Sequence, residues 1–157
     1  RDGSWHKLDM YPFRDELCAA APRTCDLLRS LGWRDEAYKL TRKFAWNVVE
    51  PGARFAGHGG QTLRINVQMC VHGCEGAELH INGTIVPYLR GRVIAWQDGW
   101  RHEVRNIGLE PRWVFQITIA HPDFQRLWDE EGGHWPMVYR RLTKRSSSRA
   151  SVARLSR

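Results

Sequence analysis

The stretch Leu63-Arg64-Ile65-Asn66-Val67-Gln68-Met69-Cys70-Val71 decides the fold class. Its side chains alternate with the period of a β-strand. Leu63, Ile65, Val67 and Met69 share one face, and Arg64, Asn66, Gln68 and Cys70 share the other. Downstream, Glu78–Ile81 and Thr84–Leu89 flank Asn82-Gly83, a strong hairpin signal because both turn positions need positive φ. Arg92–Gln97, His102–Arg105 and Arg112–Ala120 read as further strands. Upstream, Phe44–Val49 is a strand ended by Pro51-Gly52. Before it, Cys18 to Leu40 reads as helical. Pro22 and Thr24 precede Leu27, Leu28 and Leu31, and Gly32 stops the pattern. Many short strands at even spacing predict a mainly β sandwich or barrel with a flanking N-terminal helix.

The 157 residues suit one domain, since single cores run to about 100–200 residues. A 42% share of hydrophobic residues and 26% of charged ones excludes a disordered chain or a fibre. No apolar run approaches the roughly 18 residues of a membrane helix, and no signal peptide is legible. The formal net charge is +7, but the excess is local. Seven basic residues and no acid lie between Arg140 and Arg157, which leaves residues 1–139 neutral. The expectation is therefore a folded domain over 1–139 and a basic, Ser/Arg-rich disordered tail over 140–157, with Ser146–Ser148 and Ser151 open to phosphorylation. A pI near 9.7 that comes from a tail is weak support for a nucleic-acid-binding face.

His58 stands in Gly57-His58-Gly59-Gly60, where nearly bare backbone lets a ligand or metal approach. His102 opens a later strand, and Arg112 opens the next. Two strand-end histidines followed by a basic residue outline a non-haem Fe(II) oxygenase. There imidazoles leave open metal positions, and the cation binds the far carboxylate of a keto acid. By spacing alone a structural role is the commoner one for either histidine. Arg64 and Asn66 share one strand face, and Arg112, Gln116 and Thr118 share another. Such side chains between two sheets are costly unless paired or bound to a ligand; facing solvent, they cost nothing.

These residues stand within a longer pattern. It runs from Asp2-Gly3-Ser4-Trp5 through Cys18-Ala19-Ala20-Ala21-Pro22-Arg23-Thr24-Cys25 to Glu50-Pro51-Gly52, with His58 six residues past the glycine. It continues through Leu63-Arg64, Gly91-Arg92-Val93-Ile94 and Asp98-Gly99-Trp100-Arg101-His102-Glu103-Val104, and ends with Arg112-Trp113-Val114-Phe115 and His121-Pro122. In order and spacing it resembles the aspartyl/asparaginyl β-hydroxylases, Fe(II)- and 2-oxoglutarate-dependent oxygenases. The resemblance implies a double-stranded β-helix, a cupin-like jelly roll. It implies iron on His58 and His102, with Arg112 on the distal carboxylate of 2-oxoglutarate and Arg64 at its other end. It implies hydroxylation of the β-carbon of Asp or Asn in a peptide or protein partner. Apart from the resemblance, a monomer with no specific nucleic-acid partner is expected. The domain of this family extends upstream of where Arg1 begins.

Gly60 stands where a facial triad places its carboxylate, an omission that the resembled hydroxylases share. Water can fill that position. Asp98 and His72 are conceivable substitutes, although Asp98 reads first as a turn residue. Asn66 replaces an expected histidine beside the cosubstrate and Asn47 replaces a serine; both amides can still donate hydrogen bonds. The resemblance pairs Cys18 with Cys25 in a disulfide, which implies the secretory pathway or endoplasmic reticulum lumen; unbridged cysteines would imply the cytoplasm. Cys70, His72 and Cys74 lack a second ligand pair, which argues against zinc. Trp96 and Trp113 are expected in the core, Trp46 in the core or a pocket wall, and Trp5 and Trp100, near turns, in packing rather than in a peptide groove. Two other readings remain: the same chemistry on a short peptide or free amino acid, or a jelly-roll module that binds without turnover.

Overall fold

The computed structural model describes residues 4–10, 15–30, 43–60 and 64–130. The basic tail and residues 31–42, the second half of the expected helix, lie outside the described residues. Among the described residues, nine strands form two antiparallel sheets: β1 (Trp5–Asp9), β2 (Lys43–Val49), β3 (Arg54–His58), β4 (Arg64–His72), β5 (Ala77–Ile81), β6 (Thr84–Pro87), β7 (Val93–Gln97), β8 (His102–Asn106) and β9 (Arg112–Ala120). The larger sheet runs β1-β2-β9-β4-β7 and the smaller β3-β8-β5-β6. The two face each other as a jelly roll. Sequential neighbours β3 and β4 fall in different sheets, so residues distant in sequence meet in the space between them.

The helical segment is broken rather than continuous. α1 (Asp15–Ala20) and α2 (Pro22–Ser30) are separated by a bend at Ala21, because Pro22 lacks the N–H that a continuous helix needs and instead starts the next one. The Cys18–Cys25 disulfide ties the two helices together. Met10, Cys25, Leu28 and Phe44 form a small core where this pair covers the outer face of the larger sheet. Burying each of the large side chains there contributes about 1.5–3 kcal/mol. A further helix, α3 (Pro122–Glu130), again begins on proline.

Strands β1 and β3 are not legible as strands in the sequence. β1 carries charge at Lys7 and Asp9, and β3 includes Gly57 and a register shift between Phe55 and His58. Both are held by pairing: β1 on β2, β3 on β8. The Asn82-Gly83 hairpin has φ of 46° and 82°, as that dipeptide predicts.

Strand β4 inverts the usual sense of its pattern. Its polar face is the buried one: Asn66 and Gln68 are each 5% exposed and Cys70 is 0%. Its apolar face is only partly covered, and Met69 is exposed. The main core, including Val49, Leu79, Tyr88, Trp96, Val104 and Val114, fills the rest of the space between the sheets. Trp96 belongs to it as expected, but Trp113 is 42% exposed, because alternation along β9 turns it outward when Arg112 and Val114 turn in.

Candidate active site

Between the sheets lies a cavity of about 150 Å³ whose wall includes His58, His102, Asp98, Arg64, Asn66 and Arg112. Asn47 and Gln116 line it too. The smaller sheet supplies the histidines. His58 ends β3 directly opposite His102 at the start of β8, with ring centroids 4.4 Å apart. Each ring is oriented by its own backbone. His58 Nδ1 lies 3.1 Å from the Ala56 carbonyl and His102 Nδ1 lies 2.7 Å from that of Trp100. With Nδ1 donating to those oxygens, each Nε2 carries a lone pair for a metal. Burial pushes His102 below the ordinary histidine value, which favours the neutral ring that a metal requires.

The larger sheet supplies the cations and amides. Arg112 is 1% exposed, and its guanidinium lies 4.5 Å from the centre of the Tyr88 ring. Its Nε and Nη1 have no hydrogen-bond partner. A buried, unsatisfied cationic donor is costly, about 1–3 kcal/mol or more, unless an anion meets it. Tyr88 donates to Gln68 Oε1 at 2.6 Å, and Gln68 donates to Gln116 Oε1 at 2.8 Å. Asn47 also donates to that Gln116 oxygen, at 3.2 Å. An amide network thus lines the wall between Arg112 and the histidines.

Asp98 is both a turn residue and part of the site. It is 2% exposed, accepts from Arg64 Nε at 2.6 Å and from Asn66 Nδ2, and its Oδ1 lies 3.9 Å from His102 Nε2. A Cβ added to Gly60 would lie 1.6 Å from Asp98 Oδ2. The carboxylate therefore occupies the space into which a side chain two residues past His58 would point. Arg64 and Asn66, assigned by the resemblance to the cosubstrate, here hold Asp98, and Thr118 donates to Asn66 Oδ1 at 2.9 Å. His72 is remote: it lies outside this cavity, with Nε2 3.5 Å from Glu110. Among the described residues no group of three or more His, Cys, Asp or Glu is placed to hold a metal. The donor set that fits a metal is the histidine pair alone, with Asp98 beside it. Cys70 is bridged to Cys74 in a second disulfide, which removes both as zinc ligands.

Alternation already put Gln68 on the face of Arg64 and Asn66, so its place was legible in the sequence. The place of Tyr88 had no sequence signal, and neither did those of Lys7 and Lys43, which also line the cavity. A larger groove of about 590 Å³ lies on the outer face of the larger sheet, walled by Trp46, Trp113, Val48 and Leu8. It places Trp46 in a wall but carries no comparable convergence of ligating and cationic groups.

The family model for aspartyl/asparaginyl beta-hydroxylase matches residues 1–122. The chain is 23% identical over 128 residues to the aspartyl/asparaginyl beta-hydroxylase of Homo sapiens, covering 77% of this chain and 16% of that protein. For the Mus musculus protein of the same name the identity is 23% over 127 residues, covering 77% and 17%. The chain thus spans about a sixth of these relatives. Among solved structures, the cupin domain of an XRE family transcriptional regulator from Enterobacter cloacae matches with a TM-score of 0.51 at 14% identity, covering 75% of this chain and 97% of that one. That likeness shows the jelly-roll fold.

Proposed function

The chain belongs to the aspartyl/asparaginyl β-hydroxylase family, and from that premise we propose that it is an Fe(II)- and 2-oxoglutarate-dependent oxygenase of peptidyl Asp or Asn. The observation that carries this reading is Arg112. A fully buried guanidinium with two unanswered donors, in the wall of the cavity that holds two metal-competent imidazoles, is built for a small dianion that spans from cation to metal. A carboxylate there would satisfy Nε and Nη1 and replace the cost of leaving them bare.

His58 and His102 would hold the iron through Nε2, since Nδ1 of each is committed to a backbone oxygen. Bound iron and 2-oxoglutarate together supply the chemistry: one atom of O2 enters the substrate as hydroxyl, the other enters succinate, and CO2 leaves. The chain's own residues position and shield. Arg112 anchors the distal carboxylate, and the Gln68–Gln116–Asn47 amides wall the passage. Arg64 and Asn66 hold the Asp98 carboxylate beside His102, where its negative charge would support a metal held by the two histidines. The two disulfides favour an oxidising compartment such as the secretory pathway.

The test is 2-oxoglutarate binding in the presence of Mn(II), which resists turnover. Wild type is expected to bind only with metal. Arg112→Ala is expected to weaken binding about thirtyfold or more, the consequence of removing one partner of a buried charge pair. Equal binding by both proteins, or none by wild type, would sink the assignment. Mass spectrometry of an Asp-containing peptide after incubation with Fe(II) then reads the gain of one oxygen atom.

A further inference from the structure

Three cations of the larger sheet line the cavity besides Arg112, and two of them are already paired. Arg64 is tied to Asp98, and Lys7 on β1 is tied to Asp9. Lys43 has no ion pair among the described residues, although it is only partly exposed. Among the described residues, these three cations against Asp9 and Asp98 leave one positive charge in excess, and Lys43 is the cation with no direct ion pair.

The position of Lys43 follows from register. It opens β2 opposite Thr118 of β9, and Thr118 in turn lies opposite Asn66 of β4. Lys43 therefore sits in the row of residues that carries the Asn66–Asp98 contact beside His102. Arg112 lies opposite Val49 at the far end of the same strand. At about 3.3 Å per residue their backbone positions are separated by roughly 20 Å of strand, and the two side chains reach the same cavity from opposite ends. A five-carbon diacid is much shorter than that, and it would use its length between Arg112 and the histidines. A carboxylate at Lys43 would therefore be a second one. Burial first, and then the charges of Lys7 and Arg64, lower the Lys43 ammonium from its ordinary value, against a smaller opposing pull from Asp9 and Asp98. A bound anion would relieve that cost.

We propose that Lys43, backed by Lys7, is a specificity-determining carboxylate subsite that makes this protein prefer an aspartyl to an asparaginyl substrate. The inference rests on the oxygenase reading above. An ammonium forms an ion pair with a carboxylate but meets only a neutral dipole in an amide, so the bond to the carboxylate is the stronger. That difference alone is worth about tenfold in affinity.

The experiment compares two short peptides that differ only in Asp against Asn and carry no other charge. Binding is measured by calorimetry on the whole chain saturated with Mn(II) and 2-oxoglutarate. Wild type is expected to bind the Asp peptide about tenfold tighter. Lys43→Gln is expected to bring the ratio close to one, and Lys43→Arg to retain it. An equal affinity for both peptides in wild type would overturn the inference while leaving the oxygenase reading intact. If Lys43→Gln instead weakens 2-oxoglutarate and leaves the peptide ratio unchanged, the carboxylate at Lys43 is the cosubstrate's, and the inference is again overturned. If wild type shows no metal-dependent 2-oxoglutarate binding, the reading beneath it fails and this inference falls too.

Discussion

Gly60 is small because Asp98 needs its space. The carboxylate oxygen would be 1.6 Å from a Cβ at that position, and Arg64 and Asn66 hold the carboxylate so that it cannot easily withdraw. Gly60→Ala is therefore expected to cost about 1–3 kcal/mol of stability, as overpacking does. It should also displace the group that neighbours His102, and so lower Mn(II) affinity about 10–100-fold, the usual effect of disturbing a metal's supporting carboxylate. A metal titration of the variant checks this, and an unchanged affinity would show that Asp98 does not support the site. Gly60 was legible in the sequence as a missing ligand, and Asp98 first as a turn residue, with a substitute carboxylate as the lesser reading. The turn reading was correct but incomplete, because backbone chemistry at Asp98 says nothing of where its carboxylate ends up.

Strand β8 shows how one element serves two faces. His102 and Val104 point into the cavity, and Glu103 points away from it to bind Arg54 through both oxygens, at 2.8 and 2.7 Å, and Arg105 through Oε1. Those bonds, Arg54 first, hold the Glu103 carboxyl at about 2, down from the ordinary 4.5. A carboxyl depressed on folding stabilises the native state fully above its unfolded value and loses that contribution as the pH falls towards its folded value. Metal-free wild type should therefore lose stability between about pH 4.5 and pH 2 in part through Glu103. Glu103→Gln should show a shallower decline over that window, read from denaturant midpoints at each pH. Identical slopes would show that the Arg54 pair contributes nothing to the native state. Strand β8 was legible as a short segment in the series of strands, whereas β1 and β3 were not. Their stability comes from partners, β2 and β8, rather than from any pattern of their own.

At the scale of the molecule, the site joins the two sheets. His58 and His102 come from the smaller one; Arg112, Arg64 and Asn66 come from the larger. A ligand that touches both should therefore stabilise the whole sandwich rather than one strand. Mn(II) with 2-oxoglutarate at about 100 times the dissociation constant is expected to add about 2.7 kcal/mol to unfolding. In Arg112→Ala, with binding about thirtyfold weaker or more, the shift should fall to about 0.9 kcal/mol or less. Thermal unfolding with each component alone and with both checks this, and a shift unchanged in the variant would place the cosubstrate elsewhere. The α1–α2 pair packs on the outer face of the larger sheet, away from this junction, and contributes to stability without touching the cavity.

The sequence by itself determined what depends on near neighbours. The alternation of β4, the Asn82-Gly83 hairpin and the ordered motifs of the family are all short-range patterns, and each is set by local backbone preference. Tertiary structure alone decided which face of β4 is buried, and it chose the polar one, because that face lines a cavity rather than an apolar core. It brought His58 against His102, left Arg112 buried without a partner for two of its donors, seated Asp98 beside Gly60, and set Lys43 in the row of Asn66. Each of these outcomes follows from strand register between residues far apart in sequence. No local preference can specify that register, because its energy exists only once both sheets have paired and closed on each other.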